Sequence, residues 1–333
     1  MSRIAILGGG SWGTALAILF SRTRETHGVS LWVRNPALAC TIREKRENAA
    51  YLPVQTIAES VLITSNVEAA LDQAEIVVGA MPSAYARAVY QSAEPHLLPR
   101  ALLVSATKGL EPTTHARMSE VIAQTTKLGA SNIAVLSGPS FALEAARGEP
   151  TAVVLACENE VVARTLQEKL GGPTFRLYTN ADVLGVELAG AMKNVIAIAA
   201  GACQGLGFGT NILAALITRG LAEMTRLAAS QGAKPETLSG LAGLGDLVLT
   251  CTGALSRNRY VGIELGRGRA LKEILAGMKM VAEGVGTATA LLALAQEKQI
   301  SLPITEQVNA ILHEGKPPAL AIREIMERPQ KPE

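Results

Sequence analysis

Lys193 stands out in this 333-residue chain because of its surroundings. It lies inside Met192-Lys-Asn-Val-Ile196, an apolar stretch in which an ammonium group costs free energy unless it is paired or used. Desolvation is expected to lower its pKa toward neutrality, which suits a group that protonates a carbonyl oxygen or takes the proton back in the reverse direction. Downstream, Gly243-Leu-Gly-Asp246 offers a carboxylate able to orient a lysine or bind substrate hydroxyls. Ser256-Arg257-Asn258 could grip a phosphate, by charge and by N–H groups at a helix start. Each residue also has a plainer reading. The lysine head could reach the surface, and Asp246 and Ser256 could cap helices beside a solvated arginine.

A second constellation opens the chain. Gly8-x-Gly10-x-x-Gly13 follows the apolar run Ile4–Leu7 and precedes an Ala/Leu-rich helical pattern that includes Ser11 and Trp12. Strand, glycine turn and helix in that order form the context a dinucleotide fingerprint requires. Gly8 permits the tight turn, Gly10 lets the backbone approach a pyrophosphate, and Gly13 lets the helix lie close to the sheet. The helix N-terminus then offers unpaired N–H groups and its positive dipole end to the phosphates. A carboxylate that selects NAD normally ends the second strand, about 20 residues on. Here Val29–Val33 ends at Arg34, whose guanidinium can pair with the 2′-phosphate of NADP, so NADPH is favoured over NADH. Lys108 directly follows the strand Ala101–Thr107, and Gly138-Pro-Ser140 follows Ile133–Ser137. Both are where an open α/β sheet binds ligands. Glu283, in Met280-Val-Ala-Glu-Gly284, is placed either to reach the cofactor or to cap the next helix.

These residues need a scaffold, and the remaining pattern supplies it. Further strands are expected at Val61–Thr64, 75–82, Thr151–Ala156 and 175–179, with helices at 36–46, 113–126 and 160–170 between them. The segment 48–60 reads as a polar connection. Alternation of this kind argues a doubly wound, mainly parallel sheet of Rossmann type over residues 1–180. From 181 to 333 the strand signals stop and helices follow, at 182–206, 212–230, 270–276, 287–299, 304–313 and 319–327. The expected fold class is therefore α/β, with a C-terminal all-α domain for substrate and catalysis. The apolar stretch 182–206 approaches the ~20 residues a bilayer requires. Lys193 and Asn194 near its centre and the absence of a charged flank favour a buried core helix over a membrane span.

Composition narrows the function classes. The chain is 48% hydrophobic, 18% charged and only 3% aromatic, with net charge +2 and no dense basic run, so nucleic-acid binding is not expected. Cys40, Cys157, Cys203 and Cys251 form no CxxC pair, and His27, His96, His115 and His313 are scattered. No metal site is expected, and free thiols with no secretory signal suit a reducing cytoplasm.

Taken in order, the motifs resemble a known family. They are Gly8-Gly-Gly-Ser-Trp-Gly-Thr-Ala, Ala106-Thr-Lys-Gly-Leu110, Ser137-Gly-Pro-Ser-Phe-Ala142, Glu187-Leu-Ala-Gly-Ala-Met-Lys-Asn194, Gly243-Leu-Gly-Asp-Leu247, Ser256-Arg-Asn258 and Val281-Ala-Glu-Gly284. The set is similar to bacterial NAD(P)-dependent glycerol-3-phosphate dehydrogenase over nearly the whole chain. The resemblance implies interconversion of dihydroxyacetone phosphate and sn-glycerol 3-phosphate for glycerophospholipid synthesis. It implies that Lys193 is the proton acceptor in glycerol-phosphate oxidation, and that Lys108 contacts both cofactor and substrate. It matches Ser11, Trp12, Arg34, Ala142, Val281 and Glu283 to cofactor positions, and Gly138, Ser140, Asp246, Ser256 and Asn258 to substrate positions. Arg257 matches a residue touching both ligands. Segment 44–60 and the tail beyond Ile300 match no sharp motif, and a homodimer is left open. Two competing readings are a related hydroxyacid dehydrogenase, with less need of Ser256–Asn258, and a non-enzymatic NAD(P)-binding sensor, with no need of Lys193 or Asp246.

Overall fold

A computed structural model of the chain describes residues 2–23 and 28–330. It divides into two compact units, one of Met1–Glu111 with Ala116–Glu187 and one of Pro112–His115 with Leu188–Glu333. The division falls inside a single helix, Val183–Gly205.

The first unit holds strands β1 (Arg3–Leu7), β2 (Gly28–Trp32), β3 (Glu47–Asn48), β4 (Leu52–Thr56), β5 (Leu62–Thr64), β6 (Ile76–Gly79), β7 (Leu102–Ser105), β8 (Ile133–Ser137), β9 (Thr151–Ala156) and β10 (Phe175–Asn180). Eight of them form one sheet in the order β10-β9-β8-β7-β6-β1-β2-β5. Neighbours run parallel except β8 and β9, so β9 and β10 point opposite to the rest. The central strands β1, β6, β7 and β8 are apolar because both faces are covered, whereas the edge strand β10 alternates buried and exposed residues. Ile4 and Ile6 of β1 enter one core cluster, and Ala5 and Leu7 enter the other, as the period of two dictates. From β1 the chain turns to β2 and β5 on one side, then returns to β6 and β7 on the other. The carboxyl end of β1, where Gly8 sits, is therefore the switch point at which such sheets bind ligands.

The second unit is built of helices, among them Val183–Gly205, Thr210–Ser230, Asp246–Thr252, Arg257–Gly266, Glu283–Glu297, Pro303–His313 and Pro318–Met326. Val183–Gly205 is long and apolar enough to cross a membrane, but 89% of that apolar window is buried within the protein. Its glycines explain its composition. A Cβ on Gly201 would lie 2.0 Å from the carbonyl oxygen of Arg259, and one on Gly262 would lie 2.0 Å from that of Ile198. The backbones of these two helices touch, and only residues without side chains fit the crossing.

Some expectations shift. The helix expected over 113–126 is confined to Met118–Thr125, because Pro112–His115 forms a loop in which His115 has φ 59°. Segment 48–60 is not merely a connection, since β3 and β4 pair there as a hairpin. The helix expected from Thr287 starts four residues earlier, at Glu283. A π-helical turn, Leu241–Gly245, runs directly into the helix that begins at Asp246. His27 lies outside the described residues.

Candidate active site

In the first unit the proposed cofactor residues gather at the carboxyl ends of parallel strands. Gly8 has φ +127°, a region closed to most side chains, and a Cβ there would lie 2.7 Å from the carbonyl oxygen of Ala80. A Cβ on Gly13 would lie 1.8 Å from the Gly8 carbonyl oxygen, so the helix Ser11–Phe20 rests directly on the turn. A Cβ on Gly10 would meet nothing within 4 Å, which is open space beside the backbone. Gly10 is the N-cap of that helix, and no side chain caps its first N–H groups. The Trp12 indole N–H is also buried without a hydrogen-bond partner. This cradle fits a pyrophosphate.

Arg34 is exposed just past β2, its guanidinium 4.8 Å from the centre of the Tyr85 ring. Tyr85 belongs to the helix Ser83–Ala93 that follows β6. The Lys108 ammonium donates to the Gly138 carbonyl at 2.7 Å and to the Ser140 hydroxyl at 3.3 Å, and that hydroxyl in turn donates to Gly138 at 2.9 Å. Gly138 has φ +132° and lies against Val153 of the antiparallel strand. Ala142 starts the short helix Ala142–Arg147.

In the second unit Lys193 is 6% exposed and Asp246 1% exposed. Their ion pair is 2.8 Å long, and the ammonium also donates to the Thr250 hydroxyl at 2.8 Å. The surface-reaching lysine is thereby ruled out. Asp246 and Thr250 stand one helical turn apart and face Lys193 together, and the Thr250 hydroxyl donates to the Asp246 carbonyl at 2.6 Å. Burial beside this set pushes the Cys251 thiol up to about 12, so it stays protonated and inert.

Ser256 caps the helix Arg257–Gly266 by accepting from the Arg259 N–H, as its plainer reading anticipates. Its own O–H can still donate. Asn258 is engaged within the protein while one of its two amide hydrogens can still donate to a substrate. Its amide nitrogen donates to Asn194 at 2.9 Å, and its oxygen accepts from the Gly284 N–H at 2.9 Å. Arg257 is exposed by surface area on the first helical turn, yet crowding around its guanidinium holds its pKa below the usual arginine value, and the Glu283 carboxylate offsets this only in part. Val281 is exposed just before that second helix start. Sequence reasoning missed Thr250, Asn194 and Tyr85. For the first two the signal was present, as spacing of four from Asp246 and adjacency to Lys193.

Family models place the chain. One described as NAD-dependent glycerol-3-phosphate dehydrogenase N-terminus matches residues 3–163, and one described as its C-terminus matches 182–323. The chain belongs to the NAD-dependent glycerol-3-phosphate dehydrogenase family. It is 52% identical to glycerol-3-phosphate dehydrogenase [NAD(P)+] of Koribacter versatilis, over 100% of this chain and 99% of the relative. It is 50% identical to the protein of that name from Acidobacterium capsulatum, over 100% of each. Among solved structures, glycerol-3-phosphate dehydrogenase from Coxiella burnetii superposes with a TM-score of 0.93 at 41% identity, covering 98% of this chain and 99% of that one.

Proposed function

We propose that this glycerol-3-phosphate dehydrogenase family member interconverts dihydroxyacetone phosphate and sn-glycerol 3-phosphate with NAD(P)H, supplying glycerophospholipid synthesis. The observation that carries the reading is the buried Lys193–Asp246–Thr250 set. Two of its three ammonium hydrogens are directed, one at the Asp246 carboxylate and one at the Thr250 hydroxyl, and a sensor of nicotinamide nucleotide has no use for such a set.

In this reading Lys193 Nζ gives a proton to the substrate carbonyl oxygen and takes it back in the oxidative direction. Asp246 and Thr250 orient the ammonium by accepting one hydrogen each. Arg257 and the Ser256 O–H hold the phosphate at a helix start, where N–H groups and the dipole add to the charge. Asn258 joins them at the phosphate with its remaining amide hydrogen while it ties that helix to Asn194 and Gly284. Lys108, Gly138 and Ser140 form the substrate side of the first unit. Gly8, Gly10, Ser11, Trp12, Gly13 and Ala142 cradle the cofactor there, and Val281, Glu283 and Arg257 serve it from the second. When bound, the reduced nicotinamide supplies the hydride. Arg34, steadied on Tyr85, favours the 2′-phosphate of NADPH. The free thiols of Cys40, Cys157, Cys203 and Cys251 fit a cytoplasmic enzyme, and size-exclusion chromatography decides between a monomer and a homodimer.

The deciding assay mixes purified protein, dihydroxyacetone phosphate and either reduced nicotinamide, and follows loss of the reduced-nicotinamide absorbance. Turnover that requires the substrate's phosphate supports the proposal. No turnover with either cofactor refutes it.

A further inference from the structure

The β3–β4 hairpin bears on the glycine turn through one residue. Asn48 is fully buried, at 0% exposure, in a strand of two residues. Its amide nitrogen donates to the Gly9 carbonyl at 2.9 Å and to the Thr14 hydroxyl at 2.8 Å, while its amide oxygen is buried with no hydrogen-bond partner. An amide left half satisfied costs more than a hydrocarbon of the same shape, so packing alone does not explain an asparagine here. The hairpin is fastened from outside by Arg46, which donates to the carbonyls of Ile57, Ala58 and Val61. On the turn side, the Ser11 hydroxyl donates to the Tyr51 carbonyl at 2.6 Å.

A trans peptide is planar, and its C=O and N–H point to opposite sides. The described chain has no cis peptide bonds. Pulling the Gly9 carbonyl onto Asn48 therefore turns the Gly10 N–H away from the hairpin, to the side where the Gly10 backbone meets open space. Without that hold, glycine at both positions leaves the peptide free to rotate, and a carbonyl oxygen facing the cradle would repel an anion.

We propose that Asn48 is a positioning residue for the dinucleotide pyrophosphate, fixing the Gly9–Gly10 peptide so that its N–H rather than its C=O faces the phosphates. The proposal rests on the reading of this turn as the cofactor cradle. It makes the hairpin part of the binding apparatus rather than a connector.

Asn48→Ala and Thr14→Val separate this role from simple anchoring. Asn48→Ala cuts both Asn48 bonds and frees the Gly9 carbonyl, whereas Thr14→Val cuts only the bond to Thr14 and leaves that carbonyl held. Asn48→Ala is expected to raise the KM and Kd for NADPH about tenfold, the scale of one hydrogen bond to a charged group, with kcat and the KM for dihydroxyacetone phosphate within about twofold of the parent. Thr14→Val is expected to keep the NADPH constants within about twofold, although its melting temperature falls too. Should Asn48→Ala fail to fold, Asn48→Asp keeps the shape, removes both donors and carries the same expectation. Equal NADPH constants for the Asn48 variants and the parent, or an equal rise in Thr14→Val, overturn the proposal. A parent protein that binds no NADPH refutes the cradle reading itself, which is a different result.

Discussion

Removing the Asp246 carboxylate tests the central pair most directly. Lys193 and Asp246 are 6% and 1% exposed, so neither charge can turn to water when its partner is lost. Breaking a buried pair from one side costs about 3–5 kcal/mol, because the remaining charge stays desolvated. Asp246→Asn keeps an oxygen within reach of the ammonium, so about 3 kcal/mol is expected, and Lys193→Met, which strands a carboxylate, about 4 kcal/mol. For a unit of this size that is a fall of roughly 6–15 °C in melting temperature, read by circular dichroism. The double variant Lys193→Met/Asp246→Leu strands no charge. It should recover most of the loss, giving a coupling energy of several kcal/mol in the double-mutant cycle. Turnover should separate from stability in the same set. Lys193→Met and the double variant should both lose about 10²–10⁴ in kcat, while NADPH binding persists. If the double variant is destabilised by the sum of the singles, the pair is not desolvated as the distances and burial require. If Lys193→Met retains most of its kcat, the proton is carried by another group.

Two further perturbations follow. Arg34→Asp places a carboxylate where a 2′-phosphate would approach, so the KM for NADPH should rise at least about tenfold more than that for NADH, and equal changes would remove Arg34 from cofactor selection. Glu223 is 3% exposed and accepts from the Ile304 and Thr305 N–H groups and the Thr305 hydroxyl at the start of Pro303–His313. Burial pushes its carboxyl up to about 7, above its value in the unfolded chain. Between about pH 4.5 and 7 the folded state therefore holds a proton the unfolded state has released. Its contribution is fully present below that window and is lost as pH rises through it, by about 3 kcal/mol. Denaturation midpoints across this range should show that slope in the parent and not in Glu223→Gln, and parallel profiles would refute it.

How much of this was legible in the sequence depended on whether the signal was local. The strands of the parallel sheet read clearly because burial on both faces makes each a short apolar run. The glycine turn read clearly because its demands on φ and close approach fall on glycine alone, as the Ala80 contact at Gly8 shows. Lys193 and Asp246 were each visible as anomalies, but their pairing across 53 residues was not. It depends on a π-helical turn that no residue type announces. The β3–β4 hairpin was hidden because its strands are short and polar and are held by side chains. One of them, Val54, is 84% exposed with φ 61°, a conformation no propensity scale assigns to a β-branched residue. Asn258 shows another limit, because its tether to Asn194 and Gly284 is made across 64 and 26 residues and leaves no local signal.

The same limit bears on the helix Val183–Gly205, whose composition alone fits a lipid span. What makes it a core helix of this protein is where its polar groups go. Lys193 meets a carboxylate and a hydroxyl from one neighbouring helix, and Asn194 meets Asn258 from another while donating to the Gly190 carbonyl of its own. In hydrocarbon these groups would cost several kcal/mol. Here the glycine crossing at Gly201 and Gly262 brings the second helix close enough for the two asparagine amides to bond. The apolar residues of this helix thus create the low-dielectric setting in which a lysine–aspartate pair is strong, and its glycines admit the partners that keep that setting affordable. A residue placed for proton transfer needs both, so the composition that mimics a membrane span is the composition such a site requires.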